Sequence, residues 1–225
     1  DTEYFASHNP LIRELILNAY HYPNATATQR QYYQTLMKRC VTDYLHTQIQ
    51  PHPPTPYGWK LGITLFTLPV LLDSFPTAKV IHLIRDGRDV MLSRLEARFG
   101  GQNLMDPLNK LIVFGDVHTN HYEKHPLTPD TISRYRNELE MRHWVTAVTY
   151  GLRGRAYPDR YLEIKYEDLC QHPLAQFAKI FDFIQVPFLT TTHDLLSQTV
   201  HPTRIGIWQN LPPAQLEKPL QIGEK

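Results

Sequence analysis

The sequence predicts one α/β domain with a mainly parallel central sheet and helices on both faces. Two segments have the character of parallel strands: residues 79–84 (KVIHLI) form a short, nearly continuous apolar run, and residues 161–166 (YLEIKY) alternate between apolar and polar side chains. Helical patterns lie before, between and after them, and strands that alternate with helices are typical of a parallel sheet. The 225 residues are enough for a single sizeable core.

The chain before the first strand is predicted to be mainly helical. Asn9 followed by Pro10 is typical of a helix N-cap and first turn. A longer helix is expected from about Thr28 to Gln50, and the proline-rich run at residues 51–56 ends it. Its predicted buried stripe consists of Tyr33, Leu36, Met37, Cys40, Val41, Tyr44 and Leu45.

The rest of the chain is predicted to alternate between strands and helices. In order, the patterns predict a short strand at 57–61, a helix at 65–74, the strand at 79–84 with both faces buried, a helix at 89–98, a long helix at 131–155, the strand at 161–166, a helix at 173–184 and a short helix at 213–217. Residues 99–130 show no clear period and are predicted to form a long loop or insert. The residues expected to face inward on the long helix are Trp144, Val145, Val148 and Leu152.

Composition excludes several classes of partner. The formal net charge is +1, so no general basic field favours nucleic acid. No run approaches the roughly 20 apolar residues of a membrane span. Cys40 and Cys170 lack metal-like spacing and the 12 histidines are scattered, so neither a metal site nor a disulfide framework is predicted.

The turn after the first long strand carries the most informative residues. Arg85 follows the strand directly and so lies at its carboxyl end, where open α/β sheets bind ligands. A helix is expected to begin near Gly87, with Asp86 as its cap and Asp89 completing a capping-box-like pair. Ser93 then lies about two turns into the helix, and an arginine fork beside a hydroxyl suits a phosphate monoester. On geometry alone, an ordinary ion pair at Arg85 remains the alternative.

Residues 75–93 resemble the 3'-phosphate-binding segment of sulfotransferases. The shared pattern is FP-x-A-K-x-I-x-x-x-RD-x-R-D-V-x-x-S, and it resembles most the tyrosylprotein and bacterial branch of that family. The resemblance implies that Arg85 and Ser93 bind the 3'-phosphate of 3'-phosphoadenylyl sulfate. It also implies a three-layer fold like that of P-loop nucleotide kinases, and an enzyme that transfers a sulfuryl group to an acceptor hydroxyl or amine without a metal.

Two later segments resemble other parts of the family's donor site. Residues 161–169 resemble its later strand and YEDL turn, which implies that Tyr166 lies near the donor. Residues 204–211 resemble its C-terminal loop, which closes over the nucleotide; a surface turn anchored by a core tryptophan is the alternative. The donor contacts that the resemblance assigns to this loop are Arg204, Ile205, Gly206 and Trp208.

The resemblance also implies catalytic roles for three residues near the start of the chain. Lys60 occupies the place of a lysine that lies close to the transferring sulfuryl group, where an ammonium would stabilise negative charge on the leaving phosphate. Residues 1–5 resemble an ET-x-FF element in which an acidic residue is the catalytic base. Asp1 holds that place, with Glu3 as a second candidate.

One part of the family's donor site is absent from the sequence. No glycine-rich loop of the PRSGTT kind, which would hold the 5'-phosphosulfate, occurs between Asp1 and Lys225. Because the element at residues 1–5 normally follows that loop, the loop is expected upstream. Two alternatives remain: an ATP-dependent kinase, although no GxxxxGK[ST] motif is present, and a non-catalytic nucleotide-binding domain.

The resemblance leaves the acceptor open, because small molecules, carbohydrates and peptides are all acceptors in this family. The paucity of cysteine favours the cytoplasm, and a Golgi-type lumen is the alternative if an anchor precedes the chain. Neither a nucleic-acid partner nor a membrane segment is expected.

Overall fold

The computed structural model describes residues 10–19, 21–48, 57–60, 62–95 and 129–223, which form nine α-helices around a two-stranded parallel sheet. The helices are α1 (Pro10–Ala19), α2 (Ala27–Gln48), α3 (Leu68–Ser74), α4 (Gly87–Leu95), α5 (Pro129–Gly151), α6 (Tyr166–Gln171), α7 (Pro173–Ile184), α8 (Thr190–Thr199) and α9 (Pro213–Gly223). The strands are β1 (Val80–Ile84) and β2 (Tyr161–Lys165). Short 3-10 helices occupy Tyr22–Asn24, Gly62–Thr67, Leu152–Ala156, Pro202–Arg204 and Ile207–Asn210.

The sheet has the parallel pairing that the sequence predicts. Val80 lies opposite Tyr161, and Ile84 lies opposite Lys165. In this register both strands end at the same edge of the sheet, so the residues that follow them, Arg85 and Tyr166, are brought side by side.

The main hydrophobic core joins α1, α2 and α3 to the start of the sheet. Apolar residues of α2 recur at helical spacing, and this face packs against α3 and α1. Of the stripe predicted on α2, Leu36, Met37, Cys40 and Val41 are buried and Tyr33 is half-buried, while the side chains of Tyr44 and Leu45 lie outside the described residues.

The prediction that the first strand is buried on both faces is wrong. His82 is 3% exposed, and its Nδ1 lies 2.6 Å from the Tyr161 hydroxyl, but Ile81 and Leu83 on the opposite face are 39% and 48% exposed. Burial therefore alternates along β1 with the pleat of the strand. Within the described residues the sheet has only two strands, and the elements around it leave this part of β1 uncovered.

Other predicted elements differ in type or extent. Residues 57–60 have no regular structure, so the short strand predicted there is wrong. The helix predicted at 65–74 is divided into a 3-10 helix and α3 at Thr67, whose φ of −117° is not helical. The long helix ends at Gly151 and passes into a 3-10 helix, and α9 runs six residues beyond its predicted end at Glu217. Sequence patterns did not predict α8, and the insert predicted at 99–130 lies almost entirely outside the described residues.

Charged residues join α4 to α5 in the interior. Glu140 is fully buried and pairs with Arg94. Burial raises the pKa of Glu140, although Arg94 and Arg136 oppose that shift. His143 lies one turn further along α5, where burial, aided by the charge of Arg94, lowers its pKa to about 3. His143 is therefore neutral in the folded protein at neutral pH.

We predict that His143 lowers the free energy of unfolding as the pH falls from about 6.5 towards about 4. The unfolded chain binds a proton at His143 near its ordinary pKa of 6.5, whereas the folded chain, with a pKa of about 3, does not. Acid therefore favours the unfolded state, by at most about 1.4 kcal/mol per pH unit from this residue. Urea unfolding over this range measures the slope. His143→Gln should flatten it, with exposed His201→Gln as the matched control, and an equal slope in all three proteins would contradict the prediction.

Candidate functional site

Arg85 lies at the carboxyl edge of the sheet, between the end of β1 and the start of α4. Its side chain is 18% exposed. The guanidinium carbon lies 4.8 Å from the centroid of the Tyr166 ring, and Nη2 donates a hydrogen bond of 2.6 Å to the carbonyl oxygen of Arg204. Nε is buried and has no hydrogen-bond partner among the described residues. The guanidinium therefore bridges the residue that follows β2 and the C-terminal part of the chain.

Asp86 caps α4, as the sequence predicts. Its Oδ1 accepts a hydrogen bond of 2.8 Å from the Arg88 amide, and its carboxylate also pairs with the Arg88 guanidinium. Burial alone would raise the pKa of Asp86, but the hydrogen bonds from Arg88 outweigh burial and hold that pKa below its usual range. The amide of Asp86 donates to Glu167 Oε1 at 2.9 Å, so the YEDL turn also supports the helix start.

Asp89 does not complete the predicted capping box, because Glu167 already accepts the Asp86 amide. Asp89 instead anchors the chain around Gly206. Its carboxylate is fully buried: Oδ2 accepts the Gly206 amide at 2.8 Å, and Oδ1 accepts the Trp208 amide at 3.1 Å. Arg85 Nη2 lies 3.9 Å from Oδ2. Two amides and one guanidinium thus compensate this buried negative charge.

Residues 204–208, here called the C-terminal loop, lie against α4, where Asp89 binds the amides of Gly206 and Trp208. Gly206 has φ +71° and ψ 20°, a left-handed conformation that glycine adopts without a steric penalty. Trp208 is half-buried, and the guanidinium carbon of Arg88 lies 3.7 Å from the centroid of its ring. Arg204 is exposed and Ile205 is half-buried.

The structure brings most of the predicted donor residues together. Those in contact with Arg85, or in the loop that contacts Arg85 and Asp89, are Tyr166, Arg204, Ile205, Gly206 and Trp208. Ser93 is exposed on α4 one turn after Asp89, on the same helix face. Lys60 is exposed on the segment before the 3-10 helix Gly62–Thr67, and Asp1 and Glu3 lie outside the described residues.

Two side chains from other elements support the site and were not predicted to do so. Glu167 accepts the Asp86 amide, and Trp144 of α5 donates from Nε1 to the carbonyl oxygen of Arg85 at 3.0 Å. The Trp144 indole also packs directly on Gly87, where a Cβ atom would lie 2.6 Å from Cδ2 of the ring. The apolar spacing of α5 indicates only that Trp144 faces inward; nothing in the local pattern names the strand end as its partner.

The arginines around the start of α4 can attract an anion. Arg85, Arg88 and Arg204 lie beside the N-terminus of α4, whose amides and dipole favour negative charge. Burial, with hydrogen bonding to Cys170, raises the pKa of Tyr166, so its ring is a neutral face against Arg85. Within the described residues, no group of three or more His, Cys, Asp or Glu side chains could hold an ion. None of the described helices is long and apolar enough to cross a membrane.

Known proteins share sequence with most of the chain. A family model described as "Sulfotransferase family" matches residues 3–190, which confirms the resemblance seen in the sequence. Carbohydrate sulfotransferase 3 of Mus musculus is 27% identical over 140 residues, which cover 62% of this chain and 27% of the relative. The chain thus spans about a quarter of the length of that curated relative. No solved structure matches.

We predict that Gly87→Ala destabilises the fold by roughly 1–3 kcal/mol, because the added Cβ would overlap the Trp144 indole and separate α4 from α5. Urea unfolding of the variant and the unchanged protein measures the loss. Gly58→Ala is the matched control, since a Cβ at Gly58 meets no atom within 4 Å. Equal stability of the two variants would show that the contact between Gly87 and Trp144 is not close in solution.

Proposed function

This chain belongs to the sulfotransferase family, and on that premise we propose that it transfers the sulfuryl group of 3'-phosphoadenylyl sulfate to an acceptor hydroxyl or amine. The observation that carries the proposal is the position of Arg85. It lies at the carboxyl edge of a parallel sheet, beside the N-terminus of α4, and contacts both Tyr166 and the C-terminal loop. A ligand phosphate at this point would meet donors from two parts of the chain, residues 85–93 and the C-terminal loop, beside the Tyr166 ring.

Arg85 and Ser93 are proposed to bind the 3'-phosphate of the donor. The Arg85 side chain is 18% exposed at the sheet edge, and a guanidinium presents a fork of donors that suits a phosphate. Ser93 is exposed one helical turn beyond Asp89, so its hydroxyl is available to the same ligand. Arg204 adds a second positive charge from the loop, and the rings of Tyr166 and Trp208 add flat faces near the nucleotide.

The proposed reaction is a direct transfer. A base, Asp1 or Glu3, takes the proton of the acceptor hydroxyl while the acceptor oxygen forms a bond to sulfur. The bond between sulfur and the bridging oxygen of the 5'-phosphate breaks, and its electron pair stays on that oxygen. The products are the sulfated acceptor and adenosine 3',5'-bisphosphate. Lys60 is proposed to stabilise the charge that develops on the bridging oxygen.

A carbohydrate hydroxyl is the acceptor that we propose to test first. The mouse relative is named as a carbohydrate sulfotransferase, and its similarity extends over 62% of this chain. Transfer of labelled sulfate from the donor to a panel of oligosaccharides, phenols and tyrosine peptides would identify the acceptor class. Labelling of the phenols or peptides, with none of the oligosaccharides labelled, would replace the carbohydrate proposal.

We predict that Arg85→Ala weakens the binding of adenosine 3',5'-bisphosphate by roughly 2–4 kcal/mol, because a charge-assisted pair with the 3'-phosphate is lost. Isothermal titration calorimetry of the full-length protein measures the change. Arg155→Ala is the matched control, since Arg155 is exposed and pairs with Glu163 rather than with the site. Unchanged affinity in a folded Arg85→Ala protein would rule out the proposed donor site.

We predict that Lys60→Met lowers kcat by roughly 100-fold, the effect expected when one group that stabilises transition-state charge is removed. Affinity for adenosine 3',5'-bisphosphate should stay within about twofold, because the charge that Lys60 stabilises develops on the bridging oxygen only while the sulfur–oxygen bond breaks. Steady-state kinetics and calorimetry together separate the two effects. Lys179→Met, at an exposed position on α7, is the control. A kcat equal to that of the control would remove Lys60 from the mechanism.

A further inference from the structure

We propose that Asp89 is a positioning residue of the donor site: its buried carboxylate holds the C-terminal loop beside Arg85, so that loop and arginine form one binding surface. This inference rests on the proposed function, and it concerns a residue that is fully buried beneath the proposed site. Its basis is the set of contacts that one carboxylate makes with a loop more than 100 residues away.

Both oxygens of Asp89 are used by the loop backbone. Oδ2 accepts the Gly206 amide and Oδ1 accepts the Trp208 amide, at sequence separations of 117 and 119 residues. These contacts depend on backbone atoms, so they set the path of the loop whatever its side chains are. They also require the carboxylate to face the loop, and Arg85, which precedes α4, lies 3.9 Å from the same carboxylate.

Electrostatics favours the observed position of the loop. Asp89 is fully buried, and an ionised carboxylate without water is strongly unfavourable unless donors replace that water. In the described structure, the two loop amides and the Arg85 guanidinium are those donors. Moving the loop away would leave the charge with Arg85 alone, at 3.9 Å.

Arg85, the C-terminal loop and Asp89 each contact the other two, so the position of the loop is coupled to that of Arg85. Arg85 Nη2 donates to the Arg204 carbonyl oxygen, and the Gly206 amide, two residues later, donates to Asp89. The left-handed conformation of Gly206 turns the chain between these two contacts. Arg88, held by Asp86, covers the Trp208 ring and supports the far end of the loop. A change at Asp89 would therefore move the loop and release one restraint on Arg85.

The test compares Asp89→Asn with Glu140→Gln in the full-length protein. Both positions are fully buried carboxylates beside an arginine, which lies just before α4 for Asp89 and near the end of α4 for Glu140, but Glu140 faces Arg94 rather than the C-terminal loop. Asparagine keeps the size of the side chain and replaces one acceptor oxygen with an NH2 group. Hydrogen exchange of peptides spanning residues 204–211 reports on the loop, and calorimetry with adenosine 3',5'-bisphosphate reports on the donor site.

We expect Asp89→Asn to speed exchange in residues 204–211 by roughly tenfold or more and to raise the Kd of the bisphosphate by about the same factor. The KM for the donor should rise with it, while kcat at saturating donor changes by less than about threefold, because the reacting groups are untouched. Glu140→Gln should leave loop exchange and nucleotide affinity at the values of the unchanged protein. A purely structural role of Asp89 would lower global stability without this split between KM and kcat.

Several results would overturn the inference. One is that Asp89→Asn shows the hydrogen exchange and the bisphosphate affinity of the wild type. Another is that exchange in residues 204–211 becomes faster while the bisphosphate affinity stays unchanged, which would show that the position of the loop does not affect donor binding. An equal loss of loop protection and nucleotide affinity in Glu140→Gln would mean that the effect is not specific to the carboxylate that binds the loop. If the unchanged protein does not bind the bisphosphate, the proposed function fails, while loop exchange still shows whether Asp89 holds the loop. If Asp89→Asn does not fold, Asp89→Glu, which keeps the charge but displaces the oxygens, must show the same two changes.

Discussion

The arrangement of the candidate site depends on the buried carboxylate of Asp89. A charge without water in the interior is stable only where donors surround it, and in this fold the donors are two loop amides and one guanidinium. The position of Asp89 is itself fixed, because Asp86 caps α4 and the Trp144 indole packs on Gly87 at the start of the same helix. A rigid helix start therefore determines where a distant loop lies.

The parallel register of the sheet supplies the other half of the arrangement. Because β1 and β2 end at the same edge, Arg85 meets the Tyr166 ring, and the Asp86 amide meets Glu167, without any long side chain having to cross the sheet. The site is thus assembled from three short segments, at 85–89, 166–167 and 204–208, each placed by backbone geometry. Arg85, the start of α4 and the C-terminal loop are thus held together by contacts within the protein itself.

Local signals account for what the sequence predicted well. The pattern at residues 173–184 specifies α7 to the residue, and Asp86 caps α4 because its cap bonds lie within its own turn. Predictions that needed a distant partner were wrong or missing. The spacing of Asp86 and Asp89 fits a capping box, but Glu167 takes the amide that the box requires, from 81 residues away. Likewise the apolar run in β1 cannot reveal that Ile81 and Leu83 face a side of the sheet left partly uncovered in the described structure.

The match to the sulfotransferase family ends at residue 190, before the C-terminal loop begins. The matched region therefore includes Arg85, Asp89 and Tyr166, whereas Gly206 and Trp208 are linked to the family only by the resemblance of residues 204–211. The physical contacts extend the site past that limit, because Asp89, inside the matched region, binds the loop through its backbone. Backbone recognition constrains the course of a loop more than its side chains. Most side chains of such a loop can therefore vary while it keeps its place beside Arg85, provided that the turn at Gly206 is preserved.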